Sequence, residues 1–150
     1  MQLHPSSPPL DDDSTRLVAV GLTAAGALPF AGGLLDTLVS DGSWLITVQI
    51  YGAVIASFVS GIHWGAAMFA APRMAPSLLV VSNVMALLAW IGALIAPEIG
   101  FFLLAVVFTA LLLIDRLLYR DGILPSWFFR LRLAVTAAVA TACILLGVTA

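Results

Sequence analysis

Residues 44–71 read WLITVQIYGAVIASFVSGIHWGAAMFAA, and the prediction of the fold starts from this stretch. It carries no Asp, Glu, Lys or Arg from end to end. About 20 predominantly apolar residues suffice for a helix to cross the hydrocarbon core of a bilayer. The stretch therefore predicts a transmembrane helix that is long enough to span with some tilt.

Four further apolar runs accompany this stretch, at residues 17–35, 77–96, 99–118 and 131–150. Turn-forming pairs such as Asp41-Gly42 and Pro97-Glu98 separate the runs. The composition agrees, because 62% of the chain is hydrophobic and only 9% is charged, whereas soluble domains carry about 25% charged residues. The mean hydropathy is +1.13. The sequence thus predicts an all-α integral membrane bundle of five transmembrane helices within residues 17–150.

Residues 1–16 differ in composition from the rest of the chain. They combine Pro5, Pro8 and Pro9 with consecutive aspartates at positions 11–13. Such a polar, proline-rich segment buries too little apolar surface to offset the entropy lost on ordering. We expect residues 1–16 to form a disordered cytoplasmic tail.

The basic residues predict the orientation of the bundle. Short cytoplasmic loops retain Lys and Arg, whereas translocated loops do not. All six basic residues are arginines at one end of the predicted bundle, and the opposite connections carry the acidic residues Asp36, Asp41 and Glu98. The amino terminus is therefore expected in the cytoplasm and Ala150 outside.

The composition also narrows the classes of function. Six basic and eight acidic residues give a net charge of −2, which provides no cationic surface for nucleic acid. Cys143 is the single cysteine, and His63 is the single histidine within the predicted helices. Together they cannot supply the ligands of a metal or haem site, so no cofactor is expected. No catalytic motif stands out, which favours a non-enzymatic role.

The second predicted helix places polar residues on one sector. At about 100° per residue, Gln49, Ser60 and His63 share a face with small alanines. Hydrocarbon offers an imidazole no hydrogen-bond partner, so this face is expected to point into the bundle. Asp115 and Asn83 are the expected partners of His63, although each polar group could instead bond to its own helix backbone. The candidate pocket comprises His63, Trp64, Asn83, Asp115, Ser60, Gln49 and Thr136.

Small residues recur at helical spacing in the same stretch. Gly52 and Ala56 form one pair with four-residue spacing, and Gly61 and Gly65 form another. Such pairs allow two helix backbones to approach closely. We therefore expect all four residues to lie at tight helix contacts, where a leucine at Gly61 or Gly65 would overpack the interface.

The connection between the last two predicted helices combines arginines with an aromatic anchor. Arginine side chains reach lipid headgroups by extending their apolar stems along the helix, and Trp is enriched at membrane interfaces. A set of residues around this connection is accordingly expected to contact lipid headgroups: Arg116, Arg120, Trp127, Arg130 and Arg132.

The element Gly61-Ile62-His63-Trp64-Gly65 is distinctive, and several other residues accompany it: Tyr51, Phe58, Asp115, Gly122, Pro125, Trp127, Arg132 and Thr136. Together they resemble a family of small membrane proteins of unknown function that includes mitochondrial transmembrane protein 69. The resemblance covers nearly the whole apolar region. It implies a five-helix protein of a bacterial or mitochondrial inner membrane and supplies no reaction or catalytic residue.

Two functions remain open on these grounds. The abundance of small residues favours an interaction or assembly protein that packs against other membrane proteins or against a second copy of itself. The polar residues around His63 favour binding or transport of a small lipophilic or protonatable ligand in a pocket that faces the cytoplasm.

The predicted topology can be tested with reporter fusions. Because all six arginines lie at one end, a periplasmic reporter fused after Ala150 should be active, and one placed in the connection that holds Arg73 should be inactive. The measurement is reporter activity in intact cells. Cytoplasmic activity of the fusion after Ala150 would contradict the topology.

Overall fold

The computed structural model describes residues 13–40, 42–69, 71 and 73–150. These residues form five helices: α1 (Asp13–Val39), α2 (Leu45–Phe69), α3 (Ala75–Leu94), α4 (Pro97–Arg120) and α5 (Ser126–Thr149). All five are long and apolar enough to cross a membrane. The predicted all-α bundle is confirmed, and the chain is a multi-pass membrane protein.

The largest differences from the predicted spans are at α1 and α5. α1 begins at Asp13, so residues 13–16 are helical and not part of a tail, and Asp13 lies in the first turn, where a carboxylate interacts favourably with the helix dipole. Residues 1–12 of the predicted tail lie outside the described residues, as do Asp41 and Pro72. α5 begins at Ser126, directly after the extended Pro125, and is five residues longer at this end than predicted.

α2 and α4 form the centre of the bundle, because α2 packs against α1, α3 and α4, and α4 packs against α2, α3 and α5. The inward face of α4 buries Phe101, Leu104, Phe108 and Leu111. α2 pairs closely with α3, and α4 pairs closely with α5. Gly122 closes the α4–α5 turn with φ of +74°, in the left-handed region that glycine enters without steric cost.

α1 lies at the periphery, where it packs mainly against α5 and less extensively against α2. The outer surface of the bundle exposes large apolar side chains such as Leu17, Phe58 and Phe69. A surface of this kind is stable when lipid surrounds it.

The tight helix contact of α2 involves Gly52 and Ala56. A Cβ atom on Gly52 would lie 3.0 Å from Leu104 Cδ1 and 3.3 Å from Phe30 Cε1. Ala56, one turn further on, is fully buried. This face therefore lets α2 approach both α4 and α1 closely.

Gly61 and Gly65 do not lie at a helix contact within the chain. Apart from the adjoining residues and the backbone of α2 itself, no heavy atom of the described residues lies within 4 Å of a Cβ built at either position, so the predicted close contact with another helix of the same chain is wrong for both. The cause is the position of the two glycines around the helix axis, because each lies two residues from His63. Two residues correspond to about 200° around the helix, which places both glycines opposite the buried face.

Gln49 links α2 to the end of α3, on the side of the bundle opposite the arginines. Its buried Nε2 donates to the carbonyl oxygens of Gly92 at 2.6 Å and Ile95 at 2.9 Å. These carbonyls lie at the end of α3, where helix geometry leaves acceptors without an intrahelical partner. A Cβ at Gly100 would collide with the Gln49 amide and the Gly92 carbonyl oxygen, so glycine is required there.

Candidate functional site

His63, Asp115 and Arg132 form a hydrogen-bonded cluster inside the bundle, here called the buried triad. His63 Nε2 lies 3.0 Å from Asp115 Oδ1, and Arg132 Nε donates to Asp115 Oδ2 at 2.8 Å. His63 and Asp115 are fully buried, and Arg132 is only 6% exposed. The prediction that His63 points inward and meets Asp115 is confirmed.

Three helices bring the triad to one depth. His63 lies six residues before the end of α2, Asp115 five residues before the end of α4, and Arg132 six residues after the start of α5. At 1.5 Å per residue, each group lies about 8–9 Å along its helix from the arginine-rich end of the bundle. The side chains therefore meet without distorting any helix.

The charges of the triad are balanced. Arg132 is always a cation, and Asp115 accepts hydrogen bonds on both oxygens, which suits an ionised carboxylate. His63 Nδ1 is buried and has no hydrogen-bond partner among the described residues. We therefore assign Nε2 as the ring nitrogen that donates to Asp115.

Arg132 retains donor capacity beyond its bond to Asp115. A guanidinium carries five N–H donors, of which the one on Nε binds Asp115. Nη2 is buried and finds no acceptor in the described part of the chain. A buried donor without a partner is unfavourable, so this end of the side chain is suited to receive an external acceptor.

A cavity of about 350 Å³ lies beside the triad, between α1, α2, α4 and α5. Its volume is near the lower limit of small-molecule pockets, which measure about 300–1,000 Å³. Apolar side chains form most of its wall, and Arg132 is the charged residue in it. The lining residues are Ala19, Leu22, Thr23, Gly26, Ile55, Phe58, Val59, Ile62, Phe108, Phe128, Arg132, Val135, Thr136 and Val139.

Arg132 and Thr136 add polar groups to the α5 wall of the cavity, between Phe128 and Val139. They lie one helical turn apart on α5, and both are more than nine-tenths buried. His63 and Asp115 are not part of the cavity wall, and they contact it only through Arg132 and neighbouring side chains. Thr136 is thus the member of the predicted pocket that lines the observed cavity.

The other predicted pocket residues lie elsewhere. Gln49 is 14 residues before His63, about 21 Å away along α2, because a shared helical face does not imply a shared depth. Asn83 is exposed, and its Nδ2 donates to Leu79 O on its own helix, since α3 turns Ser82 and not Asn83 inward. The expected contact between Asn83 and His63 is absent from the described residues.

Trp64 and Ser60 also lie outside the cavity. Trp64 is 43% exposed, because it follows the inward-facing His63 by about 100°. Ser60 is buried, but its hydroxyl donates to Ser57 O at 2.8 Å within α2. Neither side chain therefore contributes to the site, because the Trp64 ring lies on the surface and the Ser60 hydroxyl bonds to the backbone of its own helix.

Arg132 is the member of the site that the sequence pattern did not indicate. It was expected at lipid headgroups, but it is buried and paired with Asp115. Arg116, Arg120 and Arg130 are exposed. The charge of Asp115 could have identified Arg132 as part of the site, since a carboxylate inside the membrane requires a cation at the same depth.

Trp127 lies in the first turn of α5, with the Arg16 guanidinium carbon 5.6 Å from its ring centroid. This distance is within the range of a cation–π contact, which links α1 to α5 near the arginine-rich end. Among the described residues, no group of three or more His, Cys, Asp or Glu side chains is arranged to hold a metal ion.

Comparison with known proteins assigns the sequence to a family without an assigned activity. A family model matches residues 15–149, and its description is "Protein of unknown function (DUF3429)". The match covers all five helices except the first residues of α1 and ends within the last turn of α5. No curated protein and no solved structure matches the chain.

The triad can be tested by removing its negative charge. Asp115→Asn leaves Arg132 as a buried cation without a counter-ion, which should destabilise the protein by about 3–5 kcal/mol. Asp121→Asn makes the same chemical change at an exposed position and should have little effect. Thermal unfolding in detergent measures both variants, and equal midpoints would contradict a structural charge pair.

Proposed function

Since the chain belongs to the DUF3429 family, whose function is unknown, we propose a function from its geometry: it binds a small lipophilic molecule within the membrane. The observation that carries this proposal is the apolar cavity with Arg132 and Thr136 in its wall. Ligand sites commonly combine an apolar wall with a few polar groups that fix orientation. A buried ionisable residue in a membrane helix also favours a functional site.

The position of the cavity suits a ligand that arrives from the bilayer. α1 forms one wall through residues such as Ala19 and Leu22, and α1 is the most peripheral helix. On α1 the wall extends from Ala19 to Gly26, about 10 Å along the helix. A lipophilic molecule dissolved in the membrane can therefore reach the cavity by displacing few contacts.

We further propose the membrane and the orientation. The arginine-rich end, with Arg16, Arg73, Arg116, Arg120 and Arg130, is placed in the cytoplasm, as the distribution of basic residues favours. The cavity then lies in the cytoplasmic half of a bacterial or mitochondrial inner membrane. The resemblance to mitochondrial transmembrane protein 69 supports this location.

A second candidate function is assembly with another membrane protein or with a second copy of the chain. It is favoured by the outward face of α2, where Gly61 and Gly65 have open space around them. A neighbouring helix can approach such a surface closely. Asn83 is exposed on α3, and an amide at a lipid-facing position can hydrogen-bond across helices.

Filling the cavity should prevent ligand binding. Ala19→Phe places a large side chain in the cavity wall, whereas Ala25→Phe makes the same change on the exposed face of α1. Photolabelling with an alkyl diazirine, followed by peptide mapping, should show saturable labelling of cavity residues in the wild type. Labelling should be lost in Ala19→Phe and kept in Ala25→Phe; labelling that is not saturable would contradict the proposal.

The assembly proposal predicts a different pattern. Gly61→Leu should leave the stability of the isolated chain unchanged, because its surroundings are open, but should reduce association in native membranes. Gly21→Leu is the matched control, since Gly21 on α1 also has open space around it. Native gel electrophoresis after mild extraction measures complex size, and an identical size for both variants and the wild type would contradict a contact at Gly61.

A further inference from the structure

We propose that the ligand is an uncharged lipophile with a carbonyl oxygen, which accepts a hydrogen bond from the Arg132 guanidinium. This inference rests on the proposed binding function and specifies the chemistry of the ligand. Three observations carry it: the spare donors of Arg132, the balanced charge of the triad and the position of Arg132 in the cavity.

The first observation defines which half of a hydrogen bond the ligand supplies. Arg132 lines the cavity, its Nε is occupied by Asp115, and its Nη2 has no acceptor among the described residues. A guanidinium can only donate. A ligand that brings an acceptor oxygen to the Arg132 guanidinium therefore supplies the missing half of a hydrogen bond.

The second observation defines the charge of that acceptor. Asp115 already neutralises Arg132. A carboxylate at this position would add one negative charge without a counter-ion in an apolar wall, which is strongly unfavourable. A carbonyl oxygen accepts the same hydrogen bond and adds no charge.

The third observation defines the shape of the ligand. Phe128 and Val139 both line the cavity on α5, and eleven residues separate them, or about 16 Å along the helix. Arg132 and Thr136 lie between them, so the Thr136 hydroxyl is a second polar group that a head near Arg132 can meet. The remainder of the molecule then contacts apolar residues such as Val135 and Phe108, which suits one short apolar chain or ring.

The inference can be tested with three competitors of equal chain length. 2-Dodecanone carries a carbonyl, dodecanoate carries a carboxylate, and dodecane carries no polar head. Each competes with the alkyl diazirine for photolabelling of the wild-type protein in detergent, at concentrations corrected for partition into the micelle. 2-Dodecanone is expected to compete at roughly tenfold lower concentration than either of the others, because it alone makes the hydrogen bond without adding charge.

A double variant tests the role of Arg132. Asp115→Leu combined with Arg132→Met removes both charges together, a change that membrane-buried apolar surroundings tolerate better than removal of one. The variant should still bind the diazirine but lose the preference for 2-dodecanone. Asp121→Leu combined with Arg116→Met changes an exposed aspartate and arginine and should keep it.

Each outcome decides between the two proposals. A preference for 2-dodecanone that the double variant loses supports the inference, and a preference that it retains overturns the assignment to Arg132. Stronger competition by dodecanoate, or equal competition by all three, overturns the carbonyl assignment while the binding function stands. Absence of competition by any of them overturns both. If the double variant does not fold, the comparison among competitors on the wild type still decides the ligand class.

Discussion

The carboxylate of Asp115 organises the bundle, because it must be neutralised inside the membrane. Its two oxygens bind His63 of α2 and Arg132 of α5, so one side chain on α4 holds two neighbouring helices. Apolar side chains pack against one another in many arrangements, and lipid competes with them for contacts. A charge pair in hydrocarbon has far fewer acceptable arrangements, and it therefore selects the relative positions of the three helices.

The polar contacts of the chain are separated along the membrane normal. The triad lies near the arginine-rich end, and the bonds of Gln49 to Gly92 and Ile95 lie near the opposite end. α1 takes part in neither cluster and is linked by other contacts, including the hydrogen bond from Tyr51 to Gly26 O at 3.0 Å. The cavity occurs where this loosely held helix meets α2, α4 and α5.

Much of the fold could be predicted from the sequence, because five long apolar runs allow few alternatives in a bilayer. Depth could be predicted only coarsely: it placed His63, Asp115 and Asn83 in the same half of the membrane, and of the two expected partners Asp115 is the one that His63 meets. The side of each helix that faces its neighbours was harder to predict from the sequence. Gly61, Gly65 and Asn83 were misassigned because four-residue spacing and depth do not reveal which side of a helix faces its neighbours.

Arg132 was misassigned for a different reason. Arg132 lies in a sequence with Trp127 and Arg130, and this context is typical of a membrane interface. Charge balance would have identified it, since Arg132 is nearly as far from the start of α5 as Asp115 is from the end of α4. Arg116 is adjacent to Asp115 in sequence but points about 100° away from it.

Because the three triad residues share one depth, residues can be inserted or removed at some positions of the chain and not at others. Removing one residue between Ser126 and Arg132 would rotate the guanidinium by about 100° and shift it by about 1.5 Å relative to Asp115. The same residue removed from the α4–α5 connection would leave both helices in register. Insertions and deletions among homologous chains should therefore collect in the connections and avoid the helical segments between the arginine-rich end and the triad, even where those segments contact only lipid.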